Sequence, residues 1–284
     1  MTKLIAMIDG SVYAESVCDH AAWAARRTGA SVELIHVLDK RKAGGDGLNL
    51  SGNIGLGARS TLLAQLTELD ERRAKLEMQH GRQVLDDAVA RVTADGVADV
   101  TTRLRHGDLI DAVHEFESDA DLIVIGKRGE AADFAKLHLG SNLERAVRGA
   151  TKPVLVTARA FRPIESFLIA FDGGPSAMKA VRHIAEGDLF KGLACSLVTV
   201  GAPTADASRR LEEAERLLTD AGFTVDAGFE SGEPEAAIQA RIERDGVDLL
   251  VMGAYGHSRV RTLIIGSTTT EMMRSCRVPV LLFR

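Results

Sequence analysis

The chain has 284 residues, of which 45% are hydrophobic and 26% are charged, and its formal net charge is −5. This length suits two domains of ordinary size. The acidic balance argues against a nucleic-acid-binding protein, and no apolar run approaches the length of a membrane span.

The cysteines and the N-terminus predict a cellular compartment. Cys18, Cys195 and Cys276 are odd in number and lack the paired spacing of a metal site, which predicts reduced, buried thiols. The N-terminal sequence passes into a strand and a turn without the layout of a signal peptide. We therefore expect a cytoplasmic protein without a metal site of its own.

The first half of the chain predicts strands that alternate with helices. Alternation of this kind implies a parallel sheet with right-handed crossovers. The predicted strands are Lys3–Asp9, Ser31–Leu38, Asp99–Leu104, Asp121–Ile125 and Pro153–Thr157, and the predicted helices include Glu15–Thr28 and Asp108–Ser118.

The second half repeats this series. Its predicted strands are Ser166–Asp172, Ser196–Val200, Phe223–Phe229, Val247–Met252 and Pro279–Phe283, with helices at Ala207–Asp220 and Pro234–Arg244. In the repeat, Asp9 matches Asp172, Gly126 matches Gly253, and the two Pro-Val-Leu endings match each other. The sequence therefore predicts a duplicated α/β domain, with domains at residues 1–160 and 161–284 and a joint at Ala158–Glu165.

One insertion, at about residues 39–80, distinguishes the halves. Lys42–Gly57 is rich in glycine and asparagine and predicts a flexible loop, whereas Ala58–Ala94 predicts one long helix. The helix carries an apolar stripe at Leu62, Leu66, Leu69 and Leu76. Such a stripe is typically a core face; a face that binds a partner is the alternative.

A glycine motif follows the fourth strand of the second half. Gly253, Gly256 and Gly266 precede Ser267, where a helix is predicted to begin. Glycines let the backbone approach a ligand closely, and the start of a helix favours an anion. The spacing does not match a Walker A loop. A tight turn followed by a helix cap is the alternative without a ligand.

These residues resemble a universal stress protein, specifically the tandem form with two such domains in one chain. The resemblance rests on Asp172, on the glycine motif and on the Pro279-Val280-Leu281 ending. It implies two doubly wound five-stranded parallel sheets of order 3-2-1-4-5, flanked by helices. It also implies ATP binding in many members and pairing of the last strands, here as an internal pseudo-dimer.

The resemblance implies a set of cofactor-binding residues in the second half. The crevice of such a sheet lies where the winding direction reverses, between strands 1 and 4. Asp172 and the Val200 backbone would contact adenosine, while the glycine motif and the helix start would contact ribose and phosphates. The candidates are Asp172, Val200, Met252, Gly253, Gly256, Gly266, Ser267 and Thr268.

The first half offers a weaker version of the same site. Ten residues, including Glu130 and Asp133, separate its two loop glycines, whereas the nine residues of the second half include basic side chains and no acid. Carboxylates repel a triphosphate, although Lys127 and Arg128 partly compensate. The weaker candidates are Asp9, Val37, Gly126, Gly129, Gly140 and Ser141.

Three functions remain open at this point. The leading hypothesis is a stress-response or regulatory protein that depends on ATP, with or without Mg²⁺. The second is an interaction module of the same fold that does not bind nucleotide. The third is a slow ATPase, but the sequence shows no water-positioning residue, so we assign no catalytic residue. We expect no nucleic-acid or membrane partner; a further homodimer of the pseudo-dimer remains open.

Overall fold

The computed structural model describes residues 1–38, 56–127, 141–254 and 266–284. For residues 56–64 and Ser141 it describes the backbone alone. Gly129, Gly140, Gly256 and the loop predicted at Lys42–Gly57, up to residue 55, lie outside the described residues.

The first half contains five strands and four α-helices in its described residues, in the predicted order. The strands are β1 Lys3–Ile8, β2 Ser31–Leu38, β3 Val100–His106, β4 Leu122–Gly126 and β5 Val154–Thr157. The helices are α1 Ala14–Thr28, α2 Leu56–Ala94, α3 Leu109–Phe116 and α4 Ser141–Gly149, with a 3₁₀ turn at Glu117–Asp119.

The second half repeats this order. Its strands are β6 Ser166–Ala170, β7 Ala194–Val200, β8 Val225–Glu230, β9 Leu249–Gly253 and β10 Val280–Phe283. Its helices are α5 Pro175–Glu186, α6 Ala205–Asp220, α7 Pro234–Asp245 and α8 Ser267–Ser275. Most boundaries fall within one or two residues of the prediction, because a buried strand between two turns is visible in the sequence.

The strands form one sheet in the order β3-β2-β1-β4-β5-β10-β9-β6-β7-β8. Each half therefore has the order 3-2-1-4-5, and neighbouring strands within a half are parallel. The predicted pair of doubly wound domains is confirmed.

The two halves meet through their last strands. β5 and β10 pair antiparallel, with Leu155 opposite Leu281 and Val156 opposite Val280. The antiparallel pair relates the halves by an approximate twofold axis. The predicted internal pseudo-dimer is therefore confirmed.

Helices cover both faces of the sheet, so the inner strands are buried on both sides, whereas the edge strands β3 and β8 are polar and partly exposed. One buried cluster includes Val17 of α1, Leu85 of α2, Ile184 of α5 and Leu211 of α6. The other cluster includes residues of α3, α4, α7 and α8. Each cluster contains residues from both halves, so the cores are continuous across the β5–β10 pair.

Polar contacts also connect the halves. In each case a side chain of one half donates to a backbone carbonyl of the other half. They are Arg27 Nε to Leu189 O (2.6 Å), Lys127 Nζ to Cys276 O (2.7 Å) and Arg284 Nη1 to Arg148 O (3.0 Å). Ser16 Oγ, in addition, donates to Ala158 O (2.8 Å) at the start of the joint.

The three cysteines are buried and unpaired, which confirms the predicted burial. Burial raises the pKa of the Cys18 and Cys195 thiols to about 12, and it also raises the pKa of Cys276. These thiols therefore carry their proton at neutral pH. Among the described helices, none is long and apolar enough to cross a membrane.

Helix α2 confirms the predicted long helix but corrects the expected role of its leucine stripe. Its described C-terminal part packs on the sheet through Leu85, Ala88 and Val92. Leu69 and Leu76 are 59% and 65% exposed. The expectation of a core face is wrong for these two leucines, because the buried stripe lies further along the helix.

Candidate functional site

Strand register places several of the predicted residues at one edge of the second-half sheet. Ala170 of β6 pairs with Val198 of β7 on one side and with Met252 of β9 on the other. Asp172 follows Ala170 by two residues, and Val200 follows Val198 by two residues. Both therefore lie at the carboxyl ends of their strands. This edge between β6 and β9 is where the winding direction reverses, the usual position of a ligand crevice.

Asp172 lies in a tight turn between β6 and α5. Its Oδ1 accepts a hydrogen bond from the Gly174 N–H at 2.8 Å, which fixes the turn in the manner of an Asx turn. Gly173 has φ 72°, in the left-handed region that favours glycine. The carboxylate is exposed at the crevice.

A side chain of the neighbouring strand holds the residue before each aspartate. Thr199 Oγ1 donates to Phe171 O at 2.9 Å, next to Asp172. In the first half, His36 Nδ1 donates to Ile8 O at 2.8 Å, next to Asp9. The two halves therefore fix the end of their first strand at matching positions with different side chains.

Gly253 has a packing reason to be glycine. A Cβ built there would lie 3.0 Å from Ser176 Cβ and 3.1 Å from the Ala177 nitrogen, at the start of α5. Strand β9 and helix α5 thus approach each other so closely that a side chain at this position would force its neighbours to shift. This close contact brings the start of α5 beside the β9 end of the crevice.

The start of α8 forms the other wall of the crevice. Gly266 is its N-cap residue, with φ −57°, and its N–H donates to Ala254 O at 3.3 Å. This φ is open to any residue, so the turn itself does not require glycine. Thr269 Oγ1 donates to Gly253 O at 3.2 Å and joins the helix to β9.

The first turn of α8 can bind an anion. Ser267, Thr268 and Thr269 occupy its first three positions, where backbone N–H groups have no partner within the helix. Ser267 is exposed and Thr268 is half-buried. The positive end of the helix dipole adds to this preference.

Two side chains that were not predicted belong to this region. Arg210 of α6 donates from Nη1 to Gly173 O at 3.0 Å, in the turn that carries Asp172. Thr268 Oγ1 donates to Glu235 Oε1 of α7 at 2.9 Å. Both come from helices outside the glycine motif, so motif spacing could not indicate them.

The first half shows the matching framework. Asp9 Oδ1 accepts from the Ser11 N–H at 3.1 Å, and Met7 pairs with both Ile35 and Ile125. Val37 and Gly126 lie at the ends of β2 and β4.

Lys127 does not simply serve the first-half crevice. Its ammonium donates to Cys276 O at the end of α8, 2.7 Å away, across the β5–β10 junction. Its expected role as a compensating charge beside the acids is therefore shared with a contact between the halves.

Comparison with known proteins identifies the family. The model described as "Universal stress protein family" matches residues 1–158 and again residues 163–284. The universal stress protein Slr1230 of Synechocystis sp. is 39% identical over 287 residues, covering 100% of both chains. A universal stress protein of Mycolicibacterium smegmatis is 22% identical, over 78% of this chain and 80% of its own.

A solved structure shows the same fold over the whole chain. A universal stress protein from Archaeoglobus fulgidus superimposes with a TM-score of 0.73 at 21% identity, covering 99% of this chain and 98% of its own. The sequence matches, which span both halves, agree with this likeness. The chain belongs to the universal stress protein family, with two of the family's domains in tandem.

Proposed function

We propose that the second half binds ATP and that the chain acts as a nucleotide-dependent stress-response or regulatory protein. The observation that carries the proposal is the convergence of Asp172, Val200, Gly253 and the start of α8 at one carboxyl edge. A carboxylate and the backbone at the end of a neighbouring strand can hydrogen-bond an adenosine, and the N-terminus of a helix favours a phosphate.

The residues divide into two roles. Asp172 and the Val200 backbone hold the adenosine, and Met252 and Gly253 form the floor between them and the phosphates. Ser267 presents its backbone N–H and its hydroxyl to the phosphates, and Thr268 presents its backbone N–H. A Mg²⁺ ion that enters with ATP neutralises phosphate charge.

The first half is the weaker site in this proposal. Lys127 donates to a carbonyl of the other half, which takes part of its charge from the crevice. Val84 occupies the α2 position that matches Arg210 of the second half. The first half therefore lacks the guanidinium that donates to the turn carrying the site aspartate.

Nucleotide carried through purification tests the proposal. The protein is purified without added nucleotide and denatured, and the released small molecules are separated by ion-exchange chromatography. Calorimetric titration of nucleotide-free protein with ATP then measures affinity and stoichiometry. We expect about one tight site per chain.

The same preparation separates the alternatives. Neither carried nucleotide nor ATP binding at millimolar concentration would favour the interaction module. Steady phosphate release above a no-protein control would indicate the slow ATPase. Two equal sites per chain would contradict the asymmetry between the halves.

A further inference from the structure

An acidic side chain lies beside the helix start that receives phosphate in the proposed function. Glu235 is the second residue of α7, which begins at Pro234. Its Oε1 is 2.9 Å from Thr268 Oγ1, the hydroxyl of the second residue of α8. Both residues are half-buried, so their charge and dipole act in a partly desolvated place.

This carboxylate opposes the helix dipole. The start of α8 attracts an anion, whereas Glu235 repels one. A nucleotide with one phosphate is affected little, but a triphosphate brings several negative charges near the same carboxylate. Metal-free ATP therefore meets a penalty at this point of the crevice.

A divalent cation makes the contribution of Glu235 to phosphate binding favourable instead of unfavourable. Mg²⁺ takes oxygen ligands and is usually held by one or two carboxylates together with substrate phosphates. Glu235 and Thr268 offer a carboxylate and a hydroxyl of that kind. Among the residues that the structure describes, no three His, Cys, Asp or Glu side chains are grouped to hold a metal without such a ligand. One carboxylate and one hydroxyl suit a cation that brings its remaining oxygen ligands with it as phosphate and water.

We infer that Glu235 makes polyphosphate binding in the second half dependent on a divalent cation. The inference rests on the proposed function, because it concerns the same site. It assigns Glu235 as a specificity-determining residue that favours Mg²⁺-ATP over free ATP. The first half has Ile110, which is 9% exposed, at the matching position, so it has no carboxylate there.

The purely structural explanation is a link between α7 and α8. In that case Glu235 matters only as the acceptor of the Thr268 hydroxyl. Glu235→Gln separates the two roles, since the amide oxygen still accepts this hydrogen bond while the charge is removed. Glu243→Gln is the matched control, because it removes the same charge from an exposed position at the other end of α7.

The experiment titrates ATP and AMP into full-length wild-type protein and both variants. Each titration is done in excess MgCl₂ and again in EDTA, and thermal melts verify that the variants fold. We expect wild type to bind ATP about tenfold more tightly with Mg²⁺. In Glu235→Gln this ratio falls to about twofold, mainly because metal-free ATP binds better; AMP binding barely responds.

The outcomes separate this inference from the function beneath it. If wild type and Glu243→Gln bind ATP but Glu235→Gln keeps the full Mg²⁺ ratio, the inference is wrong and the nucleotide site stands. If wild type binds neither ATP nor AMP in either buffer, the proposed function fails and the inference fails with it.

Discussion

Helices α2 and α6 occupy the same place in the two halves but have different lengths. Each crosses from the carboxyl edge of its sheet to the opposite edge, and each is followed by a glycine with φ 92°, Gly96 or Gly222. Their buried residues correspond in order. The pairs are Leu85 with Leu211, Ala88 with Ala214 and Val92 with Leu218.

The difference lies at the N-terminal ends. Helix α6 starts at Ala205 under the cap of Thr204, whose side chain accepts from the Ala207 N–H, whereas α2 starts at Leu56 and continues for several more turns. On that extension, Glu68 pairs with Arg72 at 2.6 Å and Arg73 pairs with Glu77 at 3.0 Å. Pairs of this spacing stabilise an exposed helix by only a few tenths of a kcal/mol each, about 0.3–0.5.

The comparison teaches that periodicity identifies a helix but not its neighbour. The stripe containing Leu69 and Leu76 has the spacing of a core face, yet both side chains are exposed. Leu85, further along the helix, packs in the core instead.

The largest expected effect tests this correspondence of cores. Leu85→Ala and Leu211→Ala should each lower the free energy of unfolding by about 2–5 kcal/mol, because each leaves a cavity against the sheet. Leu69→Ala and Leu76→Ala should change it by less than about 0.5 kcal/mol. Urea unfolding followed by circular dichroism measures all four. A large loss at Leu69 or Leu76 would mean that the extension is packed in solution.

The next effect compares the two crevices. Asp172→Ala should weaken ATP binding by about 1.5–3 kcal/mol, roughly tenfold to a hundredfold, because a charge-assisted hydrogen bond is lost. The matched change, Asp9→Ala, should leave most binding intact. Calorimetric titration of both variants decides the assignment. Loss of binding in Asp9→Ala alone would move the working site to the first half.

A smaller effect concerns two matching aspartates at the opposite edge of the sheet, whose carboxylates accept backbone hydrogen bonds. Asp121 Oδ2 accepts from the Thr2 and Lys3 N–H groups, and Asp248 Oδ2 accepts from those of Glu165 and Ser166. Asp121→Asn and Asp248→Asn should each cost about 1 kcal/mol at pH 7, since an amide accepts these hydrogen bonds less strongly.

The hydrogen bonds to the Asp121 carboxylate also predict a pH dependence of stability. Burial raises the pKa of the Asp121 carboxyl, but its hydrogen bonds from Thr2 and Lys3 outweigh burial, so the pKa lies below the ordinary 3.8. A lowered pKa stabilises the fold above about pH 4, and this stabilisation is lost as pH falls through the folded-state pKa. Asp121→Asn should therefore flatten the acid end of a stability–pH curve. Asp220→Asn, at an exposed site, serves as control; an unchanged slope in Asp121→Asn would refute the assignment.

The smallest effect sharpens the asymmetry at the Asp172 turn. Arg210→Ala removes the hydrogen bond to Gly173 O and should weaken ATP binding about twofold to tenfold by loosening the turn. Arg209→Ala is the control, because Arg209 pairs with Asp206 at 2.7 Å as Arg210 does at 2.9 Å. Equal losses in both variants would point to helix stability rather than to the turn. Binding of Mg²⁺-ATP is measured beside thermal melts, which separate these causes.

The sequence predicted the fold well because the chain repeats itself. Buried parallel strands appear as apolar runs between turns, and two matching series supported each other through Asp9 with Asp172 and Gly126 with Gly253. The long helix α2 was also foreseen, because helix formers follow glycine-rich sequence abruptly.

The environment of the candidate site could be predicted only in part. Spacing placed Asp172 and Gly253 at one edge, but it gave no reason to connect Glu235 with Thr268 or Arg210 with Gly173. Those contacts depend on which face of a neighbouring helix turns toward the crevice. The packing of Gly253 against α5 was likewise invisible, since it arises from the close approach of two elements distant in sequence.

The antiparallel β5–β10 pair has a consequence for how the halves can diverge. In a homodimer every substitution occurs twice, so a change that suits one subunit is imposed on the other. Here a short joint keeps the partners at an effective concentration on the order of millimolar, without any exchange of subunits. Each half can then change independently, so the first half carries a longer helix and the second half carries Arg210 and Glu235 while the junction between them stays matched.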